Sequence, residues 1–270
     1  MKPCISQACT LSTPFAADLA GLADGGATAV EVWLTKLETH LETASVDDTR
    51  QQFADRGITP AVASFQGGLL LSQGEQRKAH FDHFKRRLDL CQALGVGTLV
   101  VAADFAQRPD RTAVERAVVS LAQAAQWAAG FGVTLALEFR GADAFCTNLD
   151  TALTLAEACR EPNVGVCLDV FQFYKGPSKP EDLDRLTAAN LAHVQVCDVA
   201  GVPRELMTDA DRVFPGEGDF RLGLIVDRLK VIGYAGWVSL EVLNPVLWQV
   251  KPSQVAELGL TAVNRLLGPM

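Results

Sequence analysis

The chain is poor in the features that mark several large protein classes. No apolar run approaches the ~18–20 residues needed to cross a bilayer, and residues 1–11 lack the basic region and following apolar stretch of a secretory leader. These absences predict a cytoplasmic protein with no membrane partner. Basic residues are outnumbered, 24 Lys and Arg against 32 Asp and Glu, for a net charge of -8. A phosphate backbone demands a basic surface, so nucleic acid is excluded as a partner and a small molecule is expected instead. The seven cysteines (Cys4, Cys9, Cys91, Cys146, Cys159, Cys167, Cys197) form an odd set with no C-x-x-C pair. That argues against a disulfide framework or a zinc finger and leaves most of them as small core residues. No Pro- or Ser-rich linker and no low-complexity tract divides the chain.

What is present is a regular alternation. Apolar or β-rich runs fall at residues 5–11, 29–33, 59–64, 98–103, 134–139, 164–170, 191–197 and 236–242, with helical periodicity between them. Phe81, Phe84, Leu88, Cys91 and Leu94 recur at three or four residues before Gly95; Val114, Ala117, Val118, Leu121, Ala124, Ala125 and Ala128 do so before Gly130. Eight strands alternating with helices, at ~34 residues per unit, predict an α/β chain folded as a (β/α)8 TIM barrel, one domain over residues 1–270. The competing architecture is a doubly wound open sheet. Against it, neither G-x-G-x-x-G nor G-x-x-x-x-G-K-[ST] follows the first run.

Barrel enzymes work at the C-terminal ends of their strands, so polar residues that close apolar runs are the candidates. The last four runs end in Glu138, Asp169, Gln195 (two residues after His193) and Glu241. One such residue is ordinarily the solvated start of a loop; four at consecutive strand ends are expected to converge. Three carboxylates brought together resist ionising unless a divalent cation neutralises them, so the set predicts a metal site.

The segments LALEFRG around Glu138, VGVCLDVFQFY around Asp169, AHVQVCDVAGVPRELMTDADRVFPGEGDF through the seventh strand, and IGYAGWVSLEVLNP around Glu241 resemble the xylose-isomerase-like TIM barrels. That family includes sugar phosphate isomerases and epimerases, inosose isomerases and ketose 3-epimerases. The first half agrees only in layout and in the weaker AVEVWLTKL segment. The resemblance implies a metal held at the ends of strands five to eight by a Glu, an Asp, a His and a Glu, both glutamates also moving protons. Those roles fall on Glu138, Asp169, Gln195 and Glu241. Many members carry His where this chain has Gln195; the similar 3-dehydroshikimate dehydratase group uses Gln there. Four oxygen donors favour Mn²⁺ or Mg²⁺, with Co²⁺ or Zn²⁺ as alternatives. Gln172 stands where many relatives have a substrate-facing histidine, and it cannot exchange protons near neutral pH.

The expected chemistry is isomerisation or epimerisation of a ketose, inosose or related polyhydroxy ketone. Glu138 and Glu241 serve as base and acid through a metal-bound enediolate. Elimination of a β-hydroxyl from the same intermediate would make the protein a dehydratase. Loss of the His ligand keeps open a non-catalytic sugar-binding subunit. A nuclease of the endonuclease IV type resembles a multi-zinc site with many histidines, and this chain has four. Without a glycine-rich phosphate cradle after strands seven and eight, an unphosphorylated substrate is expected.

Gln172, Arg140, Arg204, Glu205, His193 and Trp33 are the candidate substrate-binding residues, His193 one layer deeper in the barrel. Arg212 and the turn Pro215 to Gly218 offer a further cation and a tight approach to substrate oxygens. Asp198 is a candidate to orient Gln195 or a bound water. His80 and His83 are expected to be structural, and His40 a solvated helix residue. A homo-oligomer is compatible with the sequence.

Overall fold

Eight parallel strands pair edge to edge around a closed ring in this computed structural model, which describes residues 1–268. They are β1 (Lys2–Ser6), β2 (Ala29–Trp33), β3 (Thr59–Gln66), β4 (Thr98–Ala102), β5 (Thr134–Glu138), β6 (Val164–Asp169), β7 (Leu191–Val196) and, closing against β1, β10 (Trp237–Leu240). An antiparallel ribbon of β8 (Asp198–Val199) and β9 (Arg212–Val213) rises from the end of β7. The outer layer comprises α1 (Phe15–Asp24), α2 (Leu34–His40), α3 (Val46–Asp55), α4 (Gly74–Leu94), α5 (Arg111–Ala129), α6 (Leu149–Cys159), α7 (Val170–Lys175), α8 (Leu222–Val231) and α9 (Pro252–Leu267). The TIM-barrel architecture expected from the alternation is thus the one observed.

Local chemistry explains the boundaries. Ser45, Asp110 and Asn148 each accept a hydrogen bond from the backbone three residues on and so cap α3, α5 and α6. Gly95 ends α4 at φ 75°, a left-handed conformation that glycine adopts freely. After α5 the left-handed residue is Gly132, not Gly130. The first apolar run is a strand only as far as Ser6. The Ser6 hydroxyl accepts from the Ala8 N–H at 3.2 Å and turns the chain into a 3₁₀ helix, Gln7–Thr10.

Register decides which side chains face the barrel axis, because a strand alternates its faces with period two. Glu138 is level with Cys167, Cys167 with His193, Asp169 with Gln195, Gln195 with Ser239, and Ser6 with Glu31. Small apolar residues, Cys4, Ala29, Ala61, Val100, Ala136 and Cys167, form one cluster, while a larger one joins the outer strand faces to the helices. Beside and above this cluster the axis turns polar: His193 and Ser239 are level with Cys167 and Cys4, and Glu31, His193, Gln195 and Ser239 are all buried.

Two loops at the C-terminal end meet backbone to backbone at Gly141 and Gly176. A Cβ on Gly141 would stand 2.6 Å from the Gly176 nitrogen, and one on Gly176 would overlap the Thr147 carbonyl oxygen. Gly176→Ala is therefore expected to lower unfolding free energy by about 1–3 kcal/mol. Urea denaturation measures this, and an unchanged midpoint would contradict the packing described.

Candidate active site

Glu138, at the end of β5, and Glu241, just beyond β10, line one cavity of about 200 Å³ with Gln195, Arg212 and Asp209. Trp33, Ser64, Phe65, Arg140, Gln172 and Leu243 complete the wall. Trp33 and Phe65 meet edge to face at 5.4 Å between ring centroids. Asp169, fully buried, lies beneath, its Oδ1 accepting the Phe171 N–H at 2.8 Å.

The organising residue is Arg212, whose side chain is 1% exposed. Its Nη2 donates to Asp169 Oδ2 at 2.9 Å and to Asp209 Oδ1 at 2.7 Å; its Nη1 donates to Glu241 Oε2 at 3.1 Å and to the Glu241 carbonyl at 3.3 Å. The guanidinium lies 4.3 Å over the Phe171 ring. The ribbon brings it there. Asp198 accepts from the N–H groups of Val199, Gly216 and Phe220 at 2.9, 3.0 and 2.9 Å, folding residues 212–220 back over the barrel mouth. Asp198 therefore holds this loop; it makes no hydrogen bond to Gln195.

Below the cavity, Glu31 of β2 accepts from Gln195 Nε2 at 2.8 Å and lies 2.9 Å from His193 Nε2. The same Gln195 Nε2 donates to Glu241 Oε1 at 2.9 Å, and Gln195 Oε1 accepts from Cys167 Sγ at 3.2 Å. His193 is completely buried with its Nε2 on Glu31, so it lies beneath the cavity and does not take its expected place in the lining. Arg204 and Glu205 are also displaced from their expected role. They are exposed, Arg204 donating to the Lys175 carbonyl and Lys175 to the carbonyls of both. The structure brings Glu138, Gln195, Glu241, Gln172, Arg140 and Trp33 to the cavity, with Asp169 against its Arg212 floor.

Glu31 and Asp209 were not among the expected site residues. Glu31 sits inside an apolar run, where a charge demands a buried partner, and that anomaly was the available signal. His80 and His83 hold the Gly68 carbonyl and Glu38, structural as expected, whereas His40, expected to be solvated, is half-buried and stacks on Phe15.

Charge in the site is unbalanced. Burial, reinforced by the Asp169 charge and opposed by Arg140, pushes the Glu138 carboxyl up to about 7. Burial also raises Asp169, despite Arg212, and raises Glu241 well above the ordinary carboxylate range, with Glu31, Asp169 and Glu138 adding repulsion. The donor set is therefore one that a divalent cation suits: of the three buried carboxylates Glu138, Asp169 and Glu241, the Arg212 guanidinium contacts only the last two. The side chains are not yet closed on a common point, since no three Asp, Glu, His or Cys among the described residues form a ready metal cage. Asp169 engages Arg212 through both oxygens, and Gln195 turns its N–H toward Glu241. A half-turn of the Gln195 amide would present its oxygen instead.

The sequence profile of the xylose isomerase-like TIM barrel family matches residues 19–264. The chain belongs to that family. It is 27% identical over 259 residues to an inosose isomerase of Halalkalibacterium halodurans, covering 94% of this chain and 92% of that one. A 3-dehydroshikimate dehydratase of Pseudomonas aeruginosa is 26% identical over 245 residues, 87% of this chain but 37% of the longer enzyme. Among solved structures, the IOLI protein with a bound zinc atom superposes with a TM-score of 0.93 at 24% identity, covering 99% of this chain and 98% of that one. D-psicose 3-epimerase crystallised with D-fructose superposes with a TM-score of 0.78 at 20% identity, each chain fully covered.

Two outcomes follow for the metal-free chain. Arg212→Met strands Asp169 and Glu241 without their cation and should cost about 3–5 kcal/mol in chemical denaturation, whereas a loss under 1 kcal/mol would contradict the buried pairing. Glu138 is raised above its unfolded value of 4.5. Its protonated folded form thus gives stability that is full at low pH and is lost as pH rises toward 7. Wild type should lose on the order of 1–3 kcal/mol relative to Glu138→Gln between pH 4.5 and 7.5. Parallel stability profiles for the two proteins would refute the shift.

Proposed function

We propose that the protein is a divalent-cation-dependent isomerase or epimerase of a small polyhydroxy ketone, working by proton transfer through an enediolate. The observation that carries this reading is the pair Glu138 and Glu241 facing one cavity: burial pushes Glu138 up to about 7, so it can exchange a proton near neutrality, and Glu241 is raised in the same direction by burial. The inosose isomerase relatives and the ketose epimerase fold neighbour support the reaction class. The zinc atom in the IOLI structure supports a divalent cation.

Glu138, Asp169 and Glu241 would hold the cation, with the Gln195 oxygen after its amide turns; Mn²⁺ or Mg²⁺ suits four oxygen donors, and Zn²⁺ or Co²⁺ remains compatible. When bound, such an ion supplies positive charge that polarises a ketone and acidifies the neighbouring C–H. Glu138 accepts no side-chain hydrogen bond from the described residues, which leaves its oxygens available to take the α proton. Glu241 is held between Gln195 Nε2 and Arg212 Nη1, a fixed position from which to deliver a proton. Delivery to the opposite face of the same carbon epimerises it. Delivery to the adjacent carbon, with a proton passed between the two oxygens, moves the carbonyl. Gln172, fixed by accepting the Gly141 N–H at 2.8 Å, can offer its amide N–H to a substrate oxygen but exchanges no proton.

The dehydratase relative sustains a second reading, in which the enediolate expels a β-hydroxyl. That step needs an acid beside the leaving group. Asp209 is committed to Arg212 and Gln172 cannot serve, so beyond Glu138 and Glu241, which the proton transfer already uses, the cavity offers no further acid, and isomerisation is favoured.

The test is solvent exchange: Mn²⁺-loaded protein in D₂O with ketohexoses, inososes and 3-dehydroshikimate, followed by NMR. Deuterium should enter α to the carbonyl of at least one ketone, and Glu138→Gln should cut the rate by about 10²-fold or more. Elimination without exchange into recovered substrate would favour the dehydratase. No exchange across the panel, together with Mn²⁺ affinity unaltered by Glu241→Gln, would leave a non-catalytic barrel.

A further inference from the structure

Two guanidinium groups line the cavity, and they differ in one respect. Arg212 is consumed by Asp169, Asp209 and Glu241. Arg140 is half-buried, and its side chain makes no ion pair and no hydrogen bond among the described residues. Its charge is felt by Glu138, which is the main influence raising the Arg140 pKa, but that carboxylate is not in contact with it. No lysine lines the cavity.

The loop that carries Arg140 is fastened. The Arg140 N–H donates to the Cys146 carbonyl at 3.1 Å and Asp143 donates back to the Arg140 carbonyl at 3.0 Å. Gly141 is tied to Gln172 at 2.8 Å, and Ala144 to the Phe105 carbonyl at 2.9 Å. A cation with five N–H donors is thus held at the mouth of a small cavity without a protein acceptor. Half-buried donors of this kind are completed by water or by ligand. The same cavity is lined by the aromatic side chains of Trp33 and Phe65, an apolar wall that suits the apolar face of a ring.

We propose that Arg140 is a specificity-determining residue that binds a carboxylate on the substrate, so that the preferred ligand is a cyclic polyhydroxy ketone bearing a carboxylate. This rests on the proton-transfer reading of the same site and narrows its substrate class. A planar carboxylate matches the guanidinium fork with two parallel hydrogen bonds. A phosphate usually draws on several donors and a backbone nest, and Arg140 is a single free cation.

Binding tests this independently of turnover. The Mn²⁺-loaded protein is titrated calorimetrically with quinate, myo-inositol and myo-inositol 1-phosphate, in wild type, Arg140→Met and Arg140→Lys, each checked for an unchanged melting curve. Wild type should bind quinate at least about tenfold more tightly than myo-inositol; Arg140→Met should erase the difference and Arg140→Lys restore part of it. Equal affinity for quinate and myo-inositol would overturn the proposal. So would a quinate preference that survives Arg140→Met, because the carboxylate would then be going to the cation. Tighter binding of the phosphate, lost in Arg140→Met, would overturn the carboxylate assignment. If the proton-transfer reading fails instead, no ketone will exchange deuterium while the quinate preference remains.

Discussion

The site depends on one buried guanidinium. Arg212 contacts Asp169, Asp209 and Glu241 at once and is covered by Phe171, so a single side chain ties strand β6, the β8–β9 ribbon and the end of β10 together. Three carboxylates at a barrel mouth would otherwise repel one another and the chain around them. Desolvating a guanidinium is costly, and only this concentration of acceptors offsets it. Asp198 in turn folds the loop that delivers Arg212, through three backbone N–H groups.

One cation does not balance the charge. Glu138 and Glu241 remain raised, whereas Glu31 one layer down is lowered against the effect of burial by its neighbour His193, with Ser239 and Ser64 adding to it. The polar interior is therefore graded. Its base is a hydrogen-bonded chain of His193, Glu31 and Gln195, and its mouth is a site in which carboxylates outnumber their partners. An open, charge-deficient mouth over a hydrogen-bonded base is an arrangement in which a divalent cation and a polar substrate can replace water without disturbing the barrel.

Much of this was legible in the sequence. Seven of the eight apolar runs lie on barrel strands with ends within two residues, because a strand buried on both faces has few ways to be written. Glu138, Asp169, Gln195 and Glu241 were legible because strand ends are where barrel chemistry sits. The errors share a cause. Arg204 and Glu205 read as site residues because they neighbour the ribbon, but where a loop points is set by contacts such as Asp198 to Gly216, which sequence separation hides. Arg212 read as one loop cation among several, since its burial depends on three carboxylates distant in the chain. Glu31 lay in the half of the chain where the family resemblance was weak, and His193 could be placed below the mouth only by its period-two relation to Gln195.

The most direct test of the account is the proton balance of cation binding. Mn²⁺ titrated into the protein at pH 6, in buffers of different ionisation enthalpy, reports how many protons leave as the ion enters. If burial, with the neighbouring Asp169 charge, keeps Glu138 largely protonated, binding should release about one proton per ion, and Glu138→Gln should abolish the release. Binding without proton release, or no binding at all, would contradict the charge deficit on which the account rests.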